Sequence, residues 1–473
     1  VLKNGINTSV SWEPLKSVLR SGCLLTSPAQ LAGYEADGLA YKRYRPEAVV
    51  IPSSAAELRE AVAVLADMEV PYVVRGAGTS LSGGPVAAQG GVVVHLSKLR
   101  AIEEINVVDG YCVVESGVVL NQLNARLKEQ GLYYPPDPSS GAACTMGGNV
   151  ACNAGGVHCF RYGVTSNYVL GVEVILMDGE VVRFGGPAGG RGDWVEDWKR
   201  LFIGSEGTLG IMTRFWLRLI PLPGKVWTFR ATYKTVEQAS EAIRRLACSP
   251  ISPAAIEIMD PPCVEMVENS PQRVGLPRGS FMLLTEIDGP PALVDGRIEA
   301  IRQILQTSGS DDVQWSDQES DRERLWQARK VQGGLLGQIS PDLIVQDAVI
   351  PKRYLAEMLT FIYDEARAAG IAAVTIMHAG DGNLHPDFLF DGRDPEQVEK
   401  VERIGKRMMR KVTEMGGALS GEHGIGIDKA NYTRDYFGPY GSQMQLSIPM
   451  LFNARNKLNP LKVFPERRFE RVG

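Results

Sequence analysis

The alternation of apolar and polar positions gives the chain two textures. From Val49 an apolar run, VVIP, leads into AAELREAVAVLADM, apolar at helical spacing, and then into PYVVR, a strand–helix–strand opening that reaches Gly76. GVVVHL, IEEINVV and YCVVESG follow as strands, and VLNQLNARLKEQG as an amphipathic helix stopped by Gly131. In VLGVEVILMDGEVVRFGG two strands flank Asp178-Gly179, a strong hairpin signal, and IMTRFWLRLIP is a further strand before the break PLPGK. Beyond Lys225 the order is strand, helix (VEQASEAIRRLA), strands near Ala255 and Phe281, and helix (VDGRIEAIRQILQ). It recurs as IVQDAVIP, YLAEMLTFIYDEARAAG and AVTIMHAG. Repeated β-α-β units of this kind predict an antiparallel sheet with helices on one face. The expected class is α+β, with a first domain over 1–224, an α+β substrate (cap) domain over 225–417, and a Pro-punctuated segment, 418–473, that closes the site and packs back on the first domain.

Composition narrows the function. The 473 residues are 44% hydrophobic and 22% charged, as in an ordinary globular protein, and the formal charge of -5 argues against a nucleic-acid partner. No run nears the roughly 18 apolar residues of a spanning helix, and VLKNGINTSVSWEPL lacks the parts of a signal peptide. A cytoplasmic location is expected, with peripheral membrane association left open. The helix from Asp394 to Met415 sets Lys400, Arg403, Arg407 and Arg410 opposite Val401, Ile404, Met408 and Val412, which reads as a solvated face. Seven cysteines without a C-x-x-C fit a reducing compartment and no iron–sulfur cluster; Cys144 and Cys152 read as packing.

With 51 glycines and 28 prolines, tight or ligand-hugging loops are implied. VVRGAGTSLSGG, Val73 to Gly84, follows a strand and offers unencumbered backbone amides and small hydroxyls, as a pyrophosphate needs. It does not follow the dinucleotide G-x-G-x-x-G register. PPDPSSGAACTMGGNVACNAGG, Pro135 to Gly156, is a small-residue run that would let a large planar ligand lie on backbone, and GSEGTLGIMTRF from Gly204 is a third such piece. In this order the three loops resemble the FAD-binding domain of the vanillyl-alcohol-oxidase and MurB superfamily, a two-subdomain fold. The resemblance implies an FAD contacted by Arg75, Gly76, Ala77, Gly78, Thr79, Ser80 and Gly83, by Pro136, Asp137, Gly147, Gly148, Asn153, Gly155 and Gly156, and by Glu206, Gly207, Gly210 and Ile211. Some relatives bond the flavin covalently through a first-loop histidine; this loop has none, so non-covalent FAD is expected.

Of five histidines, His378, His385 and His423 fall close together. HAGDGNLH ends a strand and turns through Asp381-Gly382, so its two imidazoles flank a hairpin, while SGEHGIG supplies Glu422 and His423. Two imidazoles and a carboxylate with open positions suit Zn²⁺, Mn²⁺ or Fe²⁺ with a bound substrate. With the glycine loops, these motifs resemble the D-2-hydroxyacid dehydrogenase group, which includes the glycolate oxidase catalytic D subunit, D-lactate dehydrogenases and D-2-hydroxyglutarate dehydrogenase. The resemblance runs from about Tyr34 to Pro465. It implies metal ligands His378, His385 and Glu422, His423 as base for the substrate hydroxyl, and Arg329, after Trp326 in LWQARK, as clamp for the carboxylate. Asp387 departs from relatives with a polar amide there.

The chemistry is coherent: a metal holding hydroxyl and carboxylate acidifies the hydroxyl, a near-neutral histidine takes the proton, and a flavin accepts hydride. Relatives that take 2-hydroxyglutarate hold its distal carboxylate with a threonine and a lysine, aligned here with Gly333 and a position near Val345. A small D-2-hydroxy acid, glycolate or D-lactate, is therefore expected. Electrons would pass to an iron–sulfur subunit, an electron-transfer flavoprotein, a quinone or a cytochrome. An oxygen-using sugar or alcohol oxidase of the same fold would give the metal triad no task, and a non-catalytic FAD subunit could dispense with both histidine motifs. A flavin-free metallohydrolase is the remaining rival.

Overall fold

The opening pattern folds as strand β1 (Ala48–Val50), helix α1 (Ala55–Asp67) and strand β2 (Tyr72–Arg75) in a computed structural model that describes residues 10–187, 197–310 and 312–465. Ser54 caps α1 by accepting from the Glu57 amide, and Leu58, Ala61, Val62 and Leu65 bury one face against the strands. With β3 (Val92–His95) and the short strand Leu24–Leu25 these form a four-stranded sheet in which β3 lies between β1 and β2, parallel to both. Strands buried on both faces, such as VVV at 92–94, carry no alternation, which is why that run reads as continuous apolar sequence.

The alternating strands form a separate antiparallel sheet. Its order is β4 (Ile102–Asn106), β5 (Tyr111–Glu115), β8 (Ile211–Arg218), β6 (Val169–Ile175) and β7 (Val181–Gly185), with helix α2 (Leu120–Lys128) after β5 and the seven-residue helix α3 (Met146–Cys152) before β6. Gly179, at φ +81°, makes the β6–β7 turn.

After Leu222 the chain builds a second sheet system, antiparallel throughout. The strands are β9 (Lys225–Tyr233), β10 (Ala255–Met259), β11 (Phe281–Gly289), β12 (Val313–Ser316), β13 (Asp342–Val345), β14 (Ala372–His378) and β15 (Asn383–Phe390), ordered β12-β9-β11-β10-β14-β15-β13. Helices α4 (Val236–Ala247), α5 (Pro261–Glu268), α6 (Ile298–Thr307), α7 (Glu319–Ile339) and α8 (Leu355–Ala369) connect them, and α9 (Pro395–Glu414) follows β15. On α9, Val401, Ile404, Met408 and Val412 are buried, while Arg407 pairs with Glu365 of α8 and Lys400 with Glu396 of α9 itself, so two of the four residues of the basic stripe carry carboxylate partners. No helix among the described residues is long and apolar enough to cross a membrane.

The described residues group into two compact units, one from the spans Val1–Ala154, Val164–Leu222 and Glu422–Gly473, the other from Gly155–Gly163 and Pro223–Gly421. Residues 155–163, inside the expected first domain, thus belong to the second unit. Here His158 pairs with Glu286 at 3.1 Å, Arg161 and Tyr162 bond Asp288 at 2.6 and 2.7 Å, both carboxylates lying on β11, and Val157 packs against the apolar cluster of that unit. The last segment returns to the first unit, where helix α10 (Thr433–Phe452) is kinked at Gly438. Lys457 and Asn459 then bond the backbone of β2, and the buried Lys462 donates to the Val86 carbonyl.

Candidate active site

The glycine loops of the first unit surround a cavity of about 340 Å³, within the range of small-molecule sites. Gly76, Ala77, Gly78, Thr79 and Ser80 line it from the first loop, Thr145, Gly148 and Cys152 from the second, and Glu206 from the third. A smaller cavity of about 60 Å³ shares Gly76, Gly148 and Glu206 and adds Gly147, Gly207, Gly210 and Ser116. The buried Ser116 hydroxyl has no hydrogen-bond partner among the described residues, a polar atom suited to a bound group.

Close backbone approach explains two glycines. A Cβ on Gly76 would lie 2.4 Å from Thr145 Oγ1, and one on Gly147 would lie 2.8 Å from the Ser116 Cβ and 3.0 Å from its carbonyl oxygen. Gly147→Ala should therefore cost about 1–3 kcal/mol by overpacking. The expected result is a lower Tm together with a lower flavin-to-protein ratio after gel filtration; wild-type values for both would show that the approach is not tight.

Other expected contacts sit elsewhere. Arg75 is buried, donating to the Ala36 carbonyl, and burial lowers its pKa, with the Asp37 charge opposing. Asn153 ends α3 at φ +52° and accepts from the Ser166 amide, and Ile211 is core in β8. Gly83, Pro136 and Asp137 do not line either cavity, and Gly155 and Gly156 lie in the second unit.

Glu422 and His423 line the larger cavity from SGEHGIG. Glu206 and the first loop hold that segment. The Glu206 carboxylate accepts from the amides of Ile425 and Gly426 at 2.6 and 2.7 Å, and the Ser82 hydroxyl donates to the His423 carbonyl at 2.9 Å. Burial pushes the Glu206 pKa up, and these two amides oppose it. Gly424 and Gly426, at φ +84° and +52°, would place a Cβ against Glu206 and the Ser82 carbonyl, so the two glycines that follow His423 are required by this clamp.

In the second unit, β14 ends at His378 and β15 returns with His385, their rings 5.0 Å apart and edge to face. Gly382, at φ +86°, closes the turn, where a Cβ would lie 2.3 Å from the Ile350 carbonyl. Behind each imidazole stands a buried carboxylate that the sequence reading did not single out. Glu257 Oε1 lies 2.6 Å from His378 Nδ1, and Asp347 Oδ1 lies 3.7 Å from His385 Nδ1. Asp347 also accepts from the Ser420 hydroxyl and the Gly421 amide, and Glu422 is the next residue in the chain. His378, engaged through Nδ1, keeps Nε2 for a metal, the usual arrangement behind metal-binding histidines, while the 3.7 Å between His385 and Asp347 is an ion-pair distance rather than a hydrogen bond.

Arg329, on α7, donates from Nε to Glu257 Oε2 at 3.2 Å, and Trp326 donates to Glu286 at 2.8 Å. Asp387 accepts from Gln332 at 2.8 Å, and burial pushes its pKa up to about 7. Gly333 and Val345 carry no charge, and a Cβ on Gly333 would meet nothing within 4 Å.

Glycine loops wrapped on a cavity within a unit of two main sheets, followed by an antiparallel sheet bearing paired histidines, form the layout of a flavin-dependent oxidoreductase. Residues 46–185 match an FAD binding domain and residues 222–463 the C-terminal domain of FAD linked oxidases. The chain belongs to the FAD-linked oxidase family. It is 34% identical to the glycolate oxidase subunit GlcD of Bacillus subtilis, covering 93% of both chains, and 35% identical to GlcD of Escherichia coli K12, covering 93% of this chain and 88% of that one. The D-lactate dehydrogenase of Anaerostipes hadrus is 32% identical over 89% of this chain and 90% of its own. Among solved structures, p-cresol methylhydroxylase aligns with a TM-score of 0.79 at 16% identity, covering 97% of each chain. The 4-ethylphenol oxidase of Gulosibacter chungangensis gives 0.76 at 19%, covering 96% and 97%. These two establish the fold, that of the vanillyl-alcohol-oxidase type.

Proposed function

We propose that the protein oxidises a small D-2-hydroxy acid, glycolate or D-lactate, to the 2-oxo acid, with non-covalent FAD, a divalent metal and a separate electron acceptor. The observation that carries this reading is the pair of imidazoles on β14 and β15, with buried Glu257 hydrogen-bonded at His378 Nδ1 and buried Asp347 3.7 Å from His385 Nδ1, in a chain whose relatives are named for glycolate and D-lactate. FAD, when bound, supplies the two-electron acceptor. The metal, when bound to His378, His385 and Glu422, lowers the pKa of a coordinated hydroxyl.

The chain's own residues do the rest. Arg329 binds the substrate carboxylate through its guanidinium fork and fixes its orientation. His423, lining the flavin cavity, takes the proton from the substrate hydroxyl oxygen onto its imidazole. Two relatives are named as subunits, which favours an acceptor on a partner protein, an iron–sulfur subunit among the candidates.

Anaerobic mixing with a panel of D- and L-2-hydroxy acids tests the reading. Glycolate and D-lactate should bleach the flavin, and kcat/KM for D-2-hydroxyglutarate should exceed neither, since Gly333 and Val345 offer its second carboxylate no partner and an unpaired buried anion costs several kcal/mol. Preference for 2-hydroxyglutarate would overturn the small-acid assignment. Acid precipitation should release the flavin, because Gly76 to Gly84 contain neither histidine nor cysteine; a yellow pellet would contradict this.

A further inference from the structure

Glu257 is an unexpected residue where it stands. It sits mid-strand in β10, whose five residues are all buried, and is itself 1% exposed. Its strand neighbours on the same face, Ala255 and Met259, belong to an apolar cluster with Trp326, Ala328 and Ile376. A carboxylate in such surroundings is stable only when its oxygens are occupied. Both are: Oε1 faces His378 Nδ1 at 2.6 Å, and Oε2 accepts from Arg329 Nε at 3.2 Å. The first contact is built into the sheet, because Glu257 and His378 are direct partners in the antiparallel β10–β14 ladder, so their side chains share a face. The second reaches across to α7.

We propose that Glu257 is a positioning residue that orients a metal-binding imidazole and the substrate-carboxylate clamp through one side chain. This rests on the functional reading above. With the His378 proton held at Nδ1, Nε2 keeps its lone pair for the metal. With Nε of Arg329 committed to Glu257, the guanidinium plane is fixed and its two terminal nitrogens are left to fork a carboxylate. The hydroxyl and carboxylate ends of a 2-hydroxy acid are thereby referenced to one rigid strand. Arginine and histidine here take their geometry from the same anion, so its loss disturbs metal binding and substrate binding together.

The test uses flavin-loaded Glu257→Gln, Glu257→Asp and Glu257→Ala proteins, with Thr285→Val as a control in the same sheet, since the buried Thr285 hydroxyl bonds only the Ala255 carbonyl among the hydrogen bonds described. Zn²⁺ and Mn²⁺ affinities are measured by competition with a chromogenic chelator, without turnover, and KM and kcat separately on metal-saturated enzyme. Glu257→Ala should weaken metal binding by roughly 10- to 100-fold. Glu257→Gln, near in shape, can still accept from His378 but cannot serve both partners, so it should raise KM while losing less metal affinity. Thr285→Val should leave the metal affinity unchanged. Wild-type affinity and KM in Glu257→Gln and Glu257→Asp would overturn the proposal even if Glu257→Ala fails to fold. A wild-type protein that binds no metal would instead overturn the reading on which it rests.

Discussion

His423→Ala should slow anaerobic flavin reduction at saturating substrate by roughly 10²- to 10⁴-fold, the span that a positioned general base contributes. His423 lines the cavity proposed for the flavin, and its loop is held by the Ser82 hydroxyl at the His423 carbonyl and by Glu206 at the amides of Ile425 and Gly426. Truncation at Cβ should therefore leave the loop in place and the flavin bound. Any limb of the reduction rate's pH profile that belongs to the base should disappear with the imidazole. Arg329→Ala should behave differently, raising KM with a smaller effect on reduction, because it removes binding to a group that does not change in the reaction. Near-normal reduction in His423→Ala would place the base elsewhere.

What could be read from the chain was whatever is local. Glycine loops, the Asp178-Gly179 turn and the two histidine motifs depend on neighbours a few positions away, and each forms where the pattern predicts. The carboxylates behind the imidazoles were not legible, because Glu257 meets His378 across 121 positions through a strand pairing that the five residues AIEIM do not specify. IEIM around Glu257 reads as an ordinary strand with a polar edge; only its burial shows otherwise. Residues 155–163 continue the glycine-rich texture of the flavin loop, yet their side-chain contacts to distant residues place them with the other unit. The tail posed the opposite problem. Pro439 and Pro449 argue against a helix, but the chain kinks at Gly438, where φ is +68°, Pro439 follows in the first turn of the helical stretch after the kink, and α10 forms around both prolines.

Stripping the metal should abolish turnover while leaving the flavin in place, since of the three proposed ligands only Glu422 lines the cavity that would hold FAD, and its loop is held by Glu206 and Ser82 rather than by a metal. An aliphatic hydroxyl is a poor acid, and His423 alone cannot bring its proton near neutral pH. Even a pKa drop of three units on coordination is worth about 4 kcal/mol, or roughly a thousandfold in rate. Metal ligands must be deprotonated to bind, so metal should be lost more readily as pH falls. Dialysis against a chelator at mildly acidic pH, followed by desalting, should give protein that keeps its absorbance near 450 nm yet does not bleach with substrate. Adding back Zn²⁺, Mn²⁺ or Fe²⁺ one at a time should restore bleaching with at least one, and His378→Ala and His385→Ala should resist restoration. Full turnover in protein shown by elemental analysis to be metal-free would remove the metal from the mechanism and leave the two imidazoles and their carboxylates as a structural network.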